Sequence, residues 1–133
     1  MIAGIFIVLT AFTFLGGQDA KNIRFLRSYG WIVEDKAVEK CEITIPAVFD
    51  EVYENYNILQ REAGLDLEPY AGMSGERYTY ILKNFPYDTN EQVRANVVCV
   101  DGKPVAGDIM TVSINGFMYS LKFNEAVCFS VKK

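Results

Sequence analysis

The stretch VRANVVCVDGKPVAGDI, residues 93–109, decides the fold of this chain. Apolar runs at residues 93–100 and 104–113 lie on either side of the pair Asp101-Gly102. An Asp-Gly pair in this setting is typical of a type I′ β-hairpin, because both central residues of that turn need a positive φ. The stretch therefore predicts two antiparallel strands joined by a tight turn.

Further segments have the pattern of β-structure. Residues 38–45 alternate between apolar and polar side chains, as a strand with one solvated face does. Residues 76–85 predict a strand before the hairpin, followed by a longer turn at residues 86–90. Shorter strands are predicted at residues 31–33 and 126–131, with a turn at Asn115-Gly116 before the latter.

The segment PAVFDEVYENYNILQREAG, residues 46–64, predicts the main helix. Pro46 suits a first helical turn, and Gly64 suits the position just after a helix. The apolar positions recur at helical spacing and predict one buried stripe formed by Val48, Val52, Tyr56, Leu59 and Ala63. A shorter helix is predicted earlier in the chain, with Asp19 as its N-cap and Gly30 at its end.

These elements predict an α+β fold with two layers, in which one main amphipathic helix packs on a curved antiparallel sheet. The chain has 133 residues, of which 50% are apolar and 23% charged, as in ordinary globular domains. We expect an apolar segment at residues 1–18, which is a membrane anchor or a signal, and a single domain at residues 19–133.

The opening segment MIAGIFIVLTAFTFLGG, residues 1–17, has no charged side chain. Three interpretations are open: a membrane anchor, a cleaved secretion signal, and an element of the folded core. About 17 apolar residues is near the lower limit for a membrane span, and no basic residue precedes the run as a signal peptide requires. We therefore expect residues 1–17 to lie in the membrane. Lys21, Arg24 and Arg27 follow the segment, and the positive-inside rule taken alone would place the domain in the cytoplasm.

Composition excludes several classes of function. The chain has no histidine, so it cannot form a Ser-His-Asp triad or a histidine-ligated zinc site. The net charge is −4 without a cluster of basic residues, which argues against binding to nucleic acid. Cys41, Cys99 and Cys128 are far apart, and we expect them to be small buried side chains. We expect neither a cofactor nor a metal ion.

Several blocks together resemble one family of proteins. They are FLRSYGW at residues 25–31, the long block at residues 43–72, RYTYILKNFP at 77–86, the hairpin at 93–109 and NGFMYSL at 115–121. The family consists of small membrane-anchored bacterial proteins of the Clostridia type and is known only as a domain of unknown function. The resemblance implies a single membrane span with the domain outside the cytoplasm, and it implies no activity, cofactor or catalytic residue. This chain differs from the family pattern because it lacks a basic leader and has a longer tail at residues 122–133.

Two groups of side chains are candidate binding residues. The tyrosines Tyr70, Tyr78, Tyr80 and Tyr87 can form a shallow surface for a peptide or a glycan. They can equally pack beneath the main helix as part of the core. Arg77, Arg94 and Asp108 fall on three predicted strands, where a carboxylate beside guanidinium groups is either an anion site or a structural ion pair.

The sequence therefore favours a membrane-tethered, extracytoplasmic domain that is not an enzyme and that binds a partner protein or an envelope polymer. One alternative is a small enzyme that uses carboxylates, which Asp108 buried in a deep cleft would favour. A second alternative is a soluble cytoplasmic domain whose opening segment lies in the core or in a dimer interface.

Overall fold

A computed structural model describes residues 17–113 and 115–123. Helix α1 occupies residues 17–27 of that part. The other elements are strand β1 (Glu39–Thr44), helix α2 (Glu51–Glu62), a 3-10 turn (Glu68–Tyr70), and strands β2 (Ser74–Ile81), β3 (Val93–Val100), β4 (Lys103–Thr111) and β5 (Met118–Tyr119). Residues 1–16, which form most of the predicted anchor, and the predicted strand at 126–131 lie outside the described residues.

The five strands form one antiparallel sheet in the order β1-β2-β3-β4-β5, and the sheet is not closed. The prediction of an α+β fold with an antiparallel sheet is thus confirmed, although the described chain has two helices beside the sheet. The predicted strand at residues 31–33 is a single bridge between Val33 and Leu82. Neither helix in the described part of the chain combines the length and the hydropathy that crossing a membrane requires.

The β3–β4 hairpin turns as its sequence predicts. Asp101 has φ of 52° and Gly102 has φ of 75°, so both central residues adopt the left-handed region that a type I′ turn needs. The ladder then shifts register between Val98 and Cys99, where a β-bulge adds one residue to β4. The turn is a local feature and was predictable, whereas the bulge was not.

One face of the sheet, here called face 1, carries Tyr78, Tyr80 and Val97 and packs against α1. Successive side chains of a strand point to opposite faces, so these residues and their neighbours two positions away share one apolar layer. Leu26 of α1 is fully buried in this layer, and the Trp31 indole donates a hydrogen bond to the Leu121 carbonyl at 2.8 Å. Face 1 therefore contains the larger hydrophobic core.

Asp19 lies inside α1 instead of capping it, so the prediction of an N-cap at this position was wrong. Its carboxylate accepts a hydrogen bond from the Tyr80 hydroxyl at 2.6 Å. The prediction assumed that the glycine pair before Asp19 separates the apolar run from the helix. The described helix, however, already includes Gly17. Tertiary contact with the sheet gives this carboxylate its partner.

Helix α2 begins later than predicted, and its buried side differs from the predicted stripe. The Asp50 side chain accepts a hydrogen bond from the Tyr53 N–H at 2.9 Å, which fixes the start of the helix at Glu51. Val48 is 85% exposed and Val52 is 72% exposed, so the predicted apolar stripe was wrong at both positions. The fully buried side chains of α2 are polar, namely Asn57 and Gln60.

Polar contacts join α2 to β4 and to the turn that follows α1. The Gln60 side-chain oxygen accepts a hydrogen bond from the Gly107 N–H at 2.9 Å. At the end of the helix, the Ala63 carbonyl accepts one from the Tyr29 hydroxyl at 2.8 Å. The other face of the sheet, here called face 2, carries Arg77 and Asn96 and is covered by α2 only in part.

The cysteines follow the sequence prediction in part. Cys99 is fully buried and Cys41 is partly buried, and both thiols are free. Burial raises the pKa of Cys99 to about 12, so this thiol is unreactive at neutral pH. Cys128 lies outside the described residues.

Replacing Gly75 by alanine should destabilise the fold. A Cβ atom at Gly75 would lie 2.2 Å from the Cys99 carbonyl oxygen, so β2 or β3 would have to move. We expect the Gly75→Ala variant to lose about 2 kcal/mol or more of unfolding free energy in urea, as overpacked positions do. The matched control is Gly17→Ala, where a Cβ atom meets open space. Equal stability of the two variants would contradict the close approach at Gly75.

Candidate functional site

A groove of about 530 Å³ lies on face 2 between α2 and the sheet. Its floor is polar and consists of Thr79, Asn96 and Asp108. Two cations, Arg77 and Arg94, also line it. The apolar and aromatic lining comes from α2 and from four strands, and includes Ile43, Val52, Tyr53, Tyr56, Met110, Val112 and Met118. This set of residues is called the groove below.

Hydrogen bonds connect the floor of the groove to helix α2. The Tyr56 hydroxyl donates to Asp108 Oδ2 at 2.6 Å, and Asn96 Nδ2 donates to Asp108 Oδ1 at 2.9 Å. The Thr79 hydroxyl donates to Asn96 Oδ1 at 2.6 Å. Asp108 is only 2% exposed, so this chain of bonds satisfies a carboxyl group that water barely reaches.

The β-bulge decides that Asp108 belongs to face 2. Next to the turn, Val100 pairs with Lys103 and Cys99 with Pro104. Continued without a break, that register would place Asp108 opposite Ala95, whose side chain lies in the core of face 1. The extra residue in β4 moves Asp108 opposite Asn96 instead, and a shift by one residue exchanges the faces of a strand.

Burial raises the pKa of Asp108, although hydrogen bonds from Tyr56 and Asn96 and the charge of Arg77 act in the opposite direction. Burial also raises the pKa of Tyr56 well above its ordinary value, and the neighbouring Asp108 charge adds to this effect. Tyr56 is therefore a stable hydrogen-bond donor at neutral pH. The groove floor favours the protonated form of its carboxyl group more than water does.

The two arginines of the groove have different partners. Arg77 Nη2 lies 3.1 Å from Glu39 Oε1 and forms an ion pair that is largely open to solvent. Arg94 Nε donates to Gln92 Oε1 at 3.1 Å. Within residues 17–113 and 115–123, no carboxylate lies at ion-pair distance from Arg94. Arg94 is thus a cation with a neutral partner at the side of an apolar groove.

The predicted binding residues separate into two groups in space. Arg77, Arg94 and Asp108 line the groove together. Tyr78 and Tyr80 lie buried on face 1, where Tyr80 also accepts a hydrogen bond from Asn22 Nδ2 at 3.0 Å. These two tyrosines pack in the core with α1.

The other two predicted tyrosines do not line the groove, and they belong to different clusters. Tyr70 packs against the small apolar cluster around Leu67. Tyr87 belongs to a cluster of rings, with its centroid 6.1 Å from that of Phe85 and 6.2 Å from that of Phe123. The four tyrosines therefore do not form one shared surface.

Sequence reasoning missed most of the residues that line the groove, among them Tyr56, Thr79, Asn96 and Met118. Tyr56 was assigned to an apolar stripe, yet its hydroxyl reaches the floor. Thr79 and Asn96 alternate with core residues on their strands, and that alternation is a signal that could have identified them. In the described part of the chain, no group of three or more acidic or cysteine side chains is arranged to hold a metal ion.

The chain belongs to the DUF4830 family, a domain of unknown function, whose family model matches residues 25–109. The predicted resemblance to an uncharacterised family is therefore confirmed, while the bacterial source and the membrane anchor stay predictions. The matched range includes Arg77, Arg94 and Asp108 of the groove. The comparisons with curated proteins and with solved structures give no match.

The raised pKa of Asp108 predicts how stability depends on pH. A carboxyl group with a higher pKa in the folded state binds its proton more tightly there, so the protonated group stabilises the fold. This contribution to the unfolding free energy is fully present at low pH, and it is lost as pH rises above 3.8 through the raised pKa. We expect the unfolding free energy of the wild type minus that of Asp108→Asn to fall as pH rises through this window. Urea unfolding at a series of pH values measures it.

Asp66 provides a control of opposite sign. Hydrogen bonds from Asn57 and from the Glu68 N–H lower its pKa, so its contribution is present above 3.8 and is lost as pH falls through the lowered value. The difference between wild type and Asp66→Asn should therefore rise with pH, below the window of Asp108. A difference for Asp108→Asn that stays constant above pH 4 would contradict the perturbed carboxyl group.

Proposed function

We propose that this member of the DUF4830 family is a non-catalytic binding module, tethered to the cell membrane by residues 1–17 with its domain outside the cytoplasm. We propose further that the groove binds an extended segment of a partner protein, one that carries apolar side chains and a carboxylate. The observation on which this proposal depends is the Arg94 guanidinium, which has no carboxylate partner among the described residues and lies beside exposed apolar side chains.

The apolar part of the groove supports a ligand with apolar side chains. Val52, Val112 and Met118 line the groove, and each is at least 45% exposed. Exposed apolar side chains that are grouped together, with polar residues beside them, are typical of interaction sites and binding grooves. Met110 and Met118 face each other across β4 and β5, and methionine side chains adapt to ligands of different shape.

The charges of the groove support an acidic ligand. Arg77 already shares its charge with Glu39, while Arg94 has only the neutral Gln92. A carboxylate on the ligand would form a charge-assisted hydrogen bond with Arg94, and such bonds are about twice as strong as neutral ones. A partner protein fits these walls better than an envelope polysaccharide, since sugar hydroxyl groups would gain little from the apolar lining.

A small carboxylate-dependent enzyme is the second candidate, and the burial of Asp108 beneath the groove favours it. A raised pKa of a buried carboxyl group in a cleft is a common property of catalytic acids and bases. Against this candidate, both oxygens of Asp108 already accept hydrogen bonds, and the other acid of the groove, Glu39, is paired with Arg77. We therefore assign Asp108 to holding Tyr56 and α2 in place.

Arg94 should control the binding of an apolar carboxylate. Octanoate is a suitable probe because it joins an alkyl chain to one carboxylate, and it can be titrated against the full chain labelled at its methionine methyl groups. We expect the NMR signals of Met110 and Met118 to shift, while that of Met73, which lies outside the groove, stays constant. The Arg94→Ala variant should bind octanoate about tenfold more weakly, because it loses the charge-assisted bond.

The matched control is Arg27→Ala, since Arg27 is an exposed arginine on α1 and lies outside the groove. This variant should bind octanoate as the wild type does, and octylammonium should not bind at the groove. Equal affinity of the Arg94→Ala and Arg27→Ala variants would contradict the proposed role of Arg94.

A selection of peptides from a random display library tests the proposed partner. The selected peptides should be rich in apolar and acidic residues. Selected peptides that bind Arg94→Ala as well as wild type would overturn the proposed partner.

The proposed orientation predicts the result of a protease experiment. The full chain with an epitope tag after residue 133 would be produced in cells, and protease would be added outside the intact cells. We expect the tag to be digested, because residues 1–17 would span the membrane and leave the domain outside. A tag that is protected until the cells are lysed would contradict this orientation, and a tag that is recovered in the soluble fraction would support the soluble alternative instead.

A further inference from the structure

The two edges of the sheet differ in how they are covered. On the β4 side, β5 pairs with Ile109 and Met110, and Gln60 of α2 binds the Gly107 N–H. On the other side, β1 is the last strand, and none of the described residues pairs with its outer edge. An open edge presents unpaired backbone groups to any strand of suitable sequence.

The phase of the β1–β2 ladder shows which backbone groups point outward. The Ile45 N–H points toward β2 and donates to the Met73 carbonyl at 2.9 Å. Ile45 follows Cys41 by four residues, and Cys41 pairs with Arg77 in the same register. Hydrogen-bonded and non-hydrogen-bonded pairs alternate along an antiparallel ladder. Cys41 therefore directs its backbone groups toward β2, while Lys40 and Glu42 direct theirs away from the sheet.

A second copy of β1 fits this edge in one register by charge. If two copies pair antiparallel through their outward groups, Lys40 can face Lys40, Glu42 or Thr44 of the other copy. The first register places Lys40 opposite Lys40 of the second copy. The third register places Glu42 opposite Glu42 of the second copy. Both therefore bring like charges together. The second register places Lys40 opposite Glu42 twice, so that both charged pairs across the strands are attractive.

We infer that the chain forms a homodimer in which the β1 strands of two copies pair antiparallel, with Lys40 opposite Glu42 of the second copy. The backbone hydrogen bonds of Lys40 and Glu42 join the two sheets into one sheet of ten strands. The charged pairs select the register, and a second copy supplies charges that complement those of the edge. This inference does not depend on the proposed ligand of the groove.

The same register brings two identical residues together at the centre of the interface. Cys41 lies opposite Cys41 of the second copy, in a non-hydrogen-bonded pair whose Cα atoms are about 4.5 Å apart. That separation is within the range that a disulfide requires. Paired residues share a face of the sheet, so the grooves of both copies open on the same side of the dimer.

Cross-linking of Cys41 tests the register. In the Cys128→Ser variant, the remaining thiols are the partly buried Cys41 and the buried Cys99. Diamide takes two electrons and two protons from a pair of thiols to form one disulfide, and we expect it to convert this variant rapidly into a covalent dimer. The Cys41→Ser, Cys128→Ser variant should stay monomeric on a non-reducing gel.

A cysteine elsewhere on the surface distinguishes paired strands from random collisions. The Arg27→Cys substitution in the Cys41→Ser, Cys128→Ser background places one exposed thiol on α1, and it should cross-link at least tenfold more slowly than Cys41 does. Equal rates, or no covalent dimer through Cys41, would overturn the inference.

Exchanging the charges tests the contact between Lys40 and Glu42. The Lys40→Glu variant places a carboxylate opposite Glu42 of the second copy, and Glu42→Lys opposes two lysines. We expect each single variant to raise the dimer dissociation constant by about tenfold or more in sedimentation equilibrium, and the double variant to restore it. Lys40 also lies 5.5 Å from the Tyr78 ring centre, so circular dichroism should show that each variant is folded.

The double variant keeps the test independent of any damage to the monomer. Restored dimerisation in the double variant supports the register, since the exchange changes both side chains but leaves their pairing attractive. A monomer at all concentrations in the wild type, or single variants that dimerise as well as the wild type, would overturn it. Loss of octanoate binding with dimerisation intact would contradict only the proposed function of the groove.

Discussion

The two helices are held on the sheet by side-chain amides that lie out of reach of water. Asn22 of α1 donates to the Tyr80 hydroxyl, and Gln60 of α2 accepts from the Gly107 N–H, and both amide side chains are fully buried. Among the described residues, each buried side-chain nitrogen or oxygen atom has a hydrogen-bond partner. A helix shifted by one residue would leave several of these groups without partners, at a cost of about 1–3 kcal/mol each. The helices are therefore fixed in position more strictly than apolar contacts alone would require.

This mode of docking explains why face 2 has a groove. A helix with a continuous apolar stripe would lie across the sheet and cover it. Helix α2 is instead joined to β4 by polar contacts, because Gln60 accepts a hydrogen bond from the Gly107 N–H and Tyr56 donates one to Asp108. Val52, on the same helix, is left exposed at the side of the groove. The open groove and the polar contacts of α2 are thus two results of the same arrangement.

Local patterns in the sequence predicted the strands and the hairpin well, since turn chemistry and alternation act over a few residues. Asp101 and Gly102 adopt the positive φ that their sequence implies, and the strands at 38–45 and 93–100 lie close to their predicted positions. Helix α2 was predicted on apolar periodicity, which cannot show a helix whose buried side chains are Asn57 and Gln60. The start of that helix depended on one cap, Asp50, rather than on Pro46. Arg77 and Arg94 were predicted on two strands, and the structure pairs those strands and places both arginines in the groove.

The position of Asp108 shows where prediction from sequence reaches its limit. Counting residues from the turn places this carboxyl group in the apolar core of face 1, where it would have no partner. The bulge after Cys99 moves it to face 2, where Asn96 and Tyr56 both donate to it. Gly75 lies against the Cys99 carbonyl, so the absence of a side chain on β2 allows the close approach of the strands at this point. The partners of Asp108 come from another strand and from α2, and Tyr56 lies 52 residues away from it in the sequence. Such a dependence is a property of packing, and no local pattern in β4 contains it.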